Sequence, residues 1–186
     1  WSQVLEVPAD YAGQHTGVKV FDINKDGFAD IFFAAGRHGV DQSYVRMNLG
    51  FDDEGYHRFS DAIPLGNPGG YYQVDVSRLS PLNSSHAAVL LAGGTCGDSN
   101  QCELRVEEPA IILDVKVTGC SAYTPWMGCE ASSTVIWQDS NPGGDRNCAF
   151  DEALGDGSAP AMILIGKYGV KEFEPSEMGF PTEPTF

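Results

Sequence analysis

The chain has 186 residues, 42% hydrophobic and 20% charged, with 22 glycines and 11 prolines. That is enough apolar material for a core and the signature of a turn-rich globular domain, not of a disordered chain. Its net charge of −15 repels nucleic-acid phosphates and anionic lipid surfaces, and no apolar run nears the roughly 20 residues that a membrane-spanning helix requires.

The chain opens at Trp1, without an initiator Met or a signal peptide, as expected of a processed product or a fragment. Trp1, Val4 and Val7, in a short segment that Pro8 ends, are candidates for one buried surface. Val18 and Val20 then lead into residues 21–36, FDINKDGFADIFFAAG, the most informative stretch. Counting Asp22 as position one, oxygen side chains fall at positions one, three, five and nine: Asp22, Asn24, Asp26 and Asp30. Gly27 at position six permits the positive φ that a tight loop needs, and the Phe28 carbonyl stands at position seven. A hard cation such as Ca2+ takes about six to eight oxygens at about 2.3–2.6 Å, which this alternation can supply. Three carboxylates so close together repel one another without a cation.

The residues after the loop decide its class. An EF-hand needs a bidentate Glu at position twelve and an exiting helix. Here position twelve is Phe33, inside the run Ile31, Phe32, Phe33, Ala34, Ala35 that Gly36 ends, which reads as a buried strand. The loop Asp22, Asn24, Asp26, Gly27, Asp30 opening onto a strand resembles the FG-GAP/VCBS repeat family, the calcium-loop blades of integrin-like β-propellers. Residues 43–61, SYVRMNLGFDDEGYHRFSD, look like that family's later two strands around an acidic turn. The resemblance implies an all-β fold of propeller blades and Ca2+ held by Asp22, Asn24, Asp26, the Phe28 carbonyl and Asp30.

Self-similarity supports a repeat. ADIFFAAG from Ala29 matches AAVLLAGG from Ala87 at an offset of 58, and SYVRMN from Ser43 falls on CELRVE from Cys102 at an offset of 59. A third copy places Asp156-Gly157 on Asp26-Gly27, with Phe150-Asp151 resembling Phe21-Asp22 and residues 161–164 supplying the strand. The expected repeats are about 18–66, 72–118 and 133–172 within a segment 1–172, followed by a proline-rich extended tail, 173–186. In the second copy Asp75 and Ser77 stand where Asp22 and Asn24 would, but no DG comes after them and the ion is expected to be lost. In the third, Asp151 and Asp156 remain while Pro160 replaces the ninth-position acid, leaving a weak second site at best. Residues 109–117, PAIILDVKV, and 133–139, STVIWQD, read as further strands. Three blades do not close a propeller, which takes about four to eight, so further blades or subunits of a larger assembly are expected.

The five cysteines are Cys96, Cys102, Cys120, Cys129 and Cys148. Cys96 and Cys102 bracket a polar turn and are candidates for one disulfide; Cys120 then joins Cys129 or Cys148. Together with the calcium loop and an Asn83-Ser84-Ser85 glycosylation sequon, these point to an extracellular or secretory-lumen protein.

Other constellations carry less. Gly97-Asp98-Ser99 shares three letters with a serine-protease nucleophile segment but has no placed His and Asp partners. His15, His38, His57 and His86 show no zinc spacing. Asp52, Asp53 and Glu54 read as a solvated hairpin turn in preference to paired catalytic carboxylates. Trp126, Trp137, Tyr71 and Tyr72 are candidates for sugar stacking, with core packing the commoner role. The expectation is therefore a non-enzymatic structural or adhesion module contacting a protein or glycan partner. The alternatives are a lectin or polysaccharide-active enzyme on the same repeats, and a subunit of an extracellular filament or assembly.

Overall fold

The computed structural model describes residues 15–35, 42–66, 71–77, 86–93, 95–96, 105–106, 109–124, 127–140, 147–151, 161–166, 169–174, 181 and 184. Every regular element among them is a β-strand, in keeping with short β-branched and aromatic runs punctuated by glycine. The first six strands are β1 (His15–Phe21), β2 (Asp30–Ala35), β3 (Tyr44–Arg46), β4 (Asn48–Phe51), β5 (His57–Phe59) and β6 (Ile63–Pro64). Of these, β1, β2, β3 and β6 pair in that order as an antiparallel sheet, and β4 and β5 form a separate hairpin.

The next six are β7 (Gln73–Ser77), β8 (Ala87–Ala92), β9 (Thr95–Cys96), β10 (Arg105–Val106), β11 (Ile111–Thr118) and β12 (Glu130–Gln138). The second sheet runs β7, β8, β11, β12, while β9 and β10 pair by themselves. A third sheet contains β13 (Asn147–Asp151), β14 (Ala161–Gly166) and β15 (Gly169–Phe173).

This topology changes two sequence expectations. Ser133 to Gln138 belong to β12 and close the second sheet instead of opening the third copy. In addition, the second-sheet counterpart of β3 is β11, whereas Arg105 and Val106 of CELRVE pair with β9 in the accessory hairpin, so the offset of 59 does not align equivalent strands. Apolar content identified the strands, but partner choice depended on connections that carry no such signal.

The three sheets stack face to face, and β8 shows why. Its six residues, AAVLLA, are all buried, and a strand turns successive side chains to opposite faces. Ala87, Val89 and Leu91 pack toward the first sheet with Phe32, Val45 and Met47. Ala88, Leu90 and Ala92 pack toward the third with Met162, Leu164 and Phe173. A strand buried on both faces loses polar alternation, which is why AAVLLA reads as a continuous apolar run. Truncating Leu90 to Ala would cost about 2–5 kcal/mol in lost burial and cavity formation.

The leading strands of the sheets, β1, β7 and β13, also lie side by side. At Gly17 of β1, a Cβ would stand 2.6 Å from the Tyr72 carbonyl oxygen and 2.8 Å from Gln73 Cα, so only glycine lets β1 approach β7 so closely. Asp75 of β7 ties the neighbours together. Its carboxylate pairs with Lys19 Nζ of β1 at 2.5 Å and accepts the Phe150 backbone N–H of β13 at 2.8 Å.

At the far end of the stack, Trp137 packs edge-on to Phe173 and donates its indole N–H to the Pro181 carbonyl at 2.7 Å. Phe173, assigned to the extended tail by sequence, is thus the fully buried last residue of β15. No helix among the described residues is long and apolar enough to cross a membrane.

Candidate metal centre

The loop between β1 and β2 is built from its own side chains. Asp22 accepts the Asp26 N–H at Oδ1 (3.1 Å) and the Gly27 N–H at Oδ2 (3.0 Å). Asn24 Oδ1 takes a second, longer bond from the Asp26 N–H (3.2 Å), and Asp26 Oδ1 accepts the Phe28 N–H (2.9 Å). Such Asx contacts curl the backbone, and two residues with positive φ complete the curl, Lys25 at 59° and Gly27 at 88°. A side chain at Gly27 would meet no neighbour, so the glycine is required for its backbone conformation alone.

Asp30 closes the loop from inside the protein. It has no solvent exposure, and its carboxylate accepts the Ile23 N–H at 3.0 Å and the Asn48 N–H at 2.8 Å. Asn48 reciprocates by donating its side-chain amide to the Ala29 carbonyl at 3.2 Å. Burial pushes the Asp30 carboxyl up to about 7; the two backbone N–H donors pull it down, and the charges of Asp26 and Asp22 push it further up. The nine-residue loop therefore gathers three carboxylates, and the dry one, Asp30, has its ionisation disfavoured by burial and by its two neighbours.

As to fit, the oxygen donors of Asp22, Asn24, Asp26, Asp30 and the Phe28 carbonyl are the chemistry a hard cation takes. Their arrangement is closed on the loop itself: Asn24 donates its amide to Asp26 Oδ2 at 3.1 Å. Among the described residues no three carboxylate, imidazole or thiol groups converge as a metal-ligand cluster. Engaging a cation thus requires the Asn24 and Asp26 side chains to release each other.

Two contributors to this site lie outside the motif. Asn48 is one, at the end of SYVRMN. The other is Ala122, whose backbone N–H donates to Asp26 Oδ2 at 2.7 Å from the loop joining β11 to β12. That loop is closed by a Cys120–Cys129 disulfide, with 4.9 Å between the Cα atoms. Of the two partners open to Cys120, the bond is made to Cys129 and not to Cys148, because Cys129 lies directly across the loop's neck. Among the described residues Cys148 is a free thiol on β13, half-buried, its Sγ 3.8 Å from the Leu90 carbonyl. Burial and the Asp75 charge raise its pKa, which keeps it protonated and unreactive. The side chain of Cys96 and the whole of Cys102 lie outside the described residues, as do Asn83, Asp156 and the Asp151 side chain.

The remaining candidates settle into structural roles. Asp75 serves Lys19 and Phe150 instead of an ion loop. Asp52 Oδ1 accepts the Glu54 N–H (3.0 Å) and Tyr56 N–H (2.8 Å), so the acidic triplet forms a hairpin turn. His86 pairs with Asp114 at 2.6 Å, and the His57 ring contacts the Asn48 side-chain amide. Tyr71 and Trp137 are buried in the core and unavailable for stacking, and Trp126 is outside the described residues. The exposed rings stand elsewhere, around Phe28: Phe51 at 5.7 Å and Tyr123 at 6.5 Å between centroids. No protein-family model, curated protein or solved structure matches the chain.

Proposed function

We propose that this chain is a non-enzymatic, extracellular β-propeller segment in which the loop of residues 22–30 binds Ca2+ and rigidifies one blade for contact with a protein or glycan partner. The observation that carries the reading is the crowding of Asp22, Asp26 and the solvent-free Asp30 in one loop, with Gly27 and Lys25 curling the backbone around them. A bound divalent ion would relieve that repulsion and, by binding the folded state alone, add stability.

Three antiparallel sheets stacked face to face, with β1, β7 and β13 adjacent, are the arrangement expected of consecutive blades. The outer faces of the stack favour additional blades or subunits: Val18 and Val20 on the first sheet are 57% and 58% exposed, Ile165 and Val170 on the third 46% and 53%. A disulfide and the absence of a membrane-crossing helix among the described residues are compatible with the extracellular reading.

A glycan partner is favoured by one specific feature: Phe51 and Tyr123 present exposed rings against Phe28 of the acidic loop. Melting the protein in calcium and in EGTA tests the core of the reading. The expected result is a midpoint several degrees higher in calcium, lost in Asp26→Ala; equal midpoints would refute it. Binding to a glycan array that disappears in Tyr123→Ala would identify the second function.

A further inference from the structure

The acidic loop of the first sheet is tied to the second sheet by a backbone hydrogen bond from the β11–β12 connection. Ala122 N–H reaches Asp26 Oδ2 at 2.7 Å, and this oxygen also takes the Asn24 amide. Around that bond the two loops are fitted to one another. A Cβ at Gly50 would stand 3.4 Å from Ala122 Cβ, so β4 backs directly onto Ala122. Tyr123 meets Phe28 edge-on at 6.5 Å.

What presents Ala122 is the disulfide. Cys120 is 3% exposed and rooted in the core between the first two sheets, with Cys129 packed against it. Inside the ring the chain is further curled by Thr124 N–H to the Ser121 carbonyl and Met127 N–H to the Thr124 carbonyl, both at 3.0 Å. Among the described residues of the ring, 121–124 and 127–128, none belongs to a strand, and the covalent neck and these turns shape them.

We infer that the Cys120–Cys129 ring is a redox-sensitive clasp on the acidic loop: oxidised, it delivers the Ala122 amide to Asp26; reduced, it releases the loop. The reductant is a dithiol. Its thiolate attacks the Cys129 sulfur, the more exposed of the two, and Cys120 leaves and takes up a proton. The second thiol of the reductant then displaces Cys129 as its thiol, so the dithiol is oxidised to a cyclic disulfide as the protein gains two cysteines. Losing a hydrogen bond to a carboxylate, together with the order of the ring, frees both the ring and residues 22–30. That cation affinity falls with reduction rests on the reading of residues 22–30 as a calcium loop; the clasp itself does not.

Amide hydrogen exchange of the full chain tests this, with peptides covering residues 22–30, 119–130 and β8. Three samples are compared with the oxidised protein: dithiothreitol-treated, Cys120→Ala with Cys129→Ala, and Ala122→Pro, which keeps the disulfide but has no N–H to donate. Each is expected to exchange about tenfold or more faster over residues 22–30, with β8 unchanged, and Ala122→Gly is expected to behave as the oxidised protein. In calcium titrations of the same samples the midpoint rises about tenfold on opening the ring. Unchanged exchange over 22–30 after opening the ring overturns the clasp, and so does exchange that rises equally in β8, which would make the disulfide a general staple. Failure of the oxidised protein to bind calcium while exchange responds would overturn the cation reading alone.

Discussion

Asp22 and Asp75 form a natural pair, because each is an acid on the leading part of its sheet, Asp22 just past the end of β1 and Asp75 within β7, and each has a polar side chain two residues later. Asp22 sits half-exposed at a loop mouth and spends its oxygens on the loop's own N–H groups. Asp75 is buried on β7, with Lys19 beside it and the Phe150 N–H at its other oxygen. The second sheet thus meets its acid with a cation from the protein, while the first gathers three acids and has a lysine, Lys25, that points to solvent. One residue type can therefore become an inter-sheet tie or the closure of its own loop. Which it becomes depends on whether a neighbouring sheet supplies the positive charge.

Removing the tie should have the largest effect. Asp75→Ala removes the acceptor of the buried Phe150 N–H and the carboxylate beside Lys19, and is expected to cost about 3 kcal/mol by urea unfolding, with or without calcium. A loss that calcium restores would mean that Asp75 is part of an ion site after all. Lys19→Ala is the milder version. The lysine is 41% exposed at the side chain, so solvent already weakens the pair, and about 1 kcal/mol is expected.

The acidic loop should respond to pH instead. Asp30 has its pKa raised from 3.8 to about 7 in the folded protein. Between those values the unfolded chain gives up a proton that the folded one keeps. Asp30's contribution to the stability of the calcium-free protein is therefore expected to be full below about pH 4, to fall as pH rises, and to be lost above about pH 7. Calcium should flatten this slope. Asp30→Asn should flatten it as well, while lowering stability at every pH because one of two backbone N–H donors then faces an amide. Asp52→Ala, which removes only a turn acceptor, should cost under about 1 kcal/mol and leave the pH profile unchanged.

Much of this was legible in residue order, and the reasons are local. The run after Asp30, the fully apolar AAVLLAGG and the β-branched PAIILDVKV announce strands because burial on one or both faces leaves a pattern. The loop's closure could be read from Asp22, Asn24, Asp26 and Gly27 because side chains and backbone a few residues apart make those contacts. Long-range contacts left no such trace. Ala122 contributes a backbone N–H across 96 positions, and any residue but proline carries one. The tie between Lys19, Asp75 and Phe150 joins three sheets through residues whose types alone predict nothing. The membership of β12 in the second sheet was likewise hidden, because it depends on a disulfide-closed turn and not on the strand's composition.

Whether residues 22–30 hold an ion is decided by isothermal titration of the oxidised chain with Ca2+, set beside Asp26→Ala and Asp75→Asn. One site is expected in the parent protein, none in Asp26→Ala, and an undiminished site in Asp75→Asn. No heat in the parent, or a site that survives in Asp26→Ala, would rule the calcium loop out.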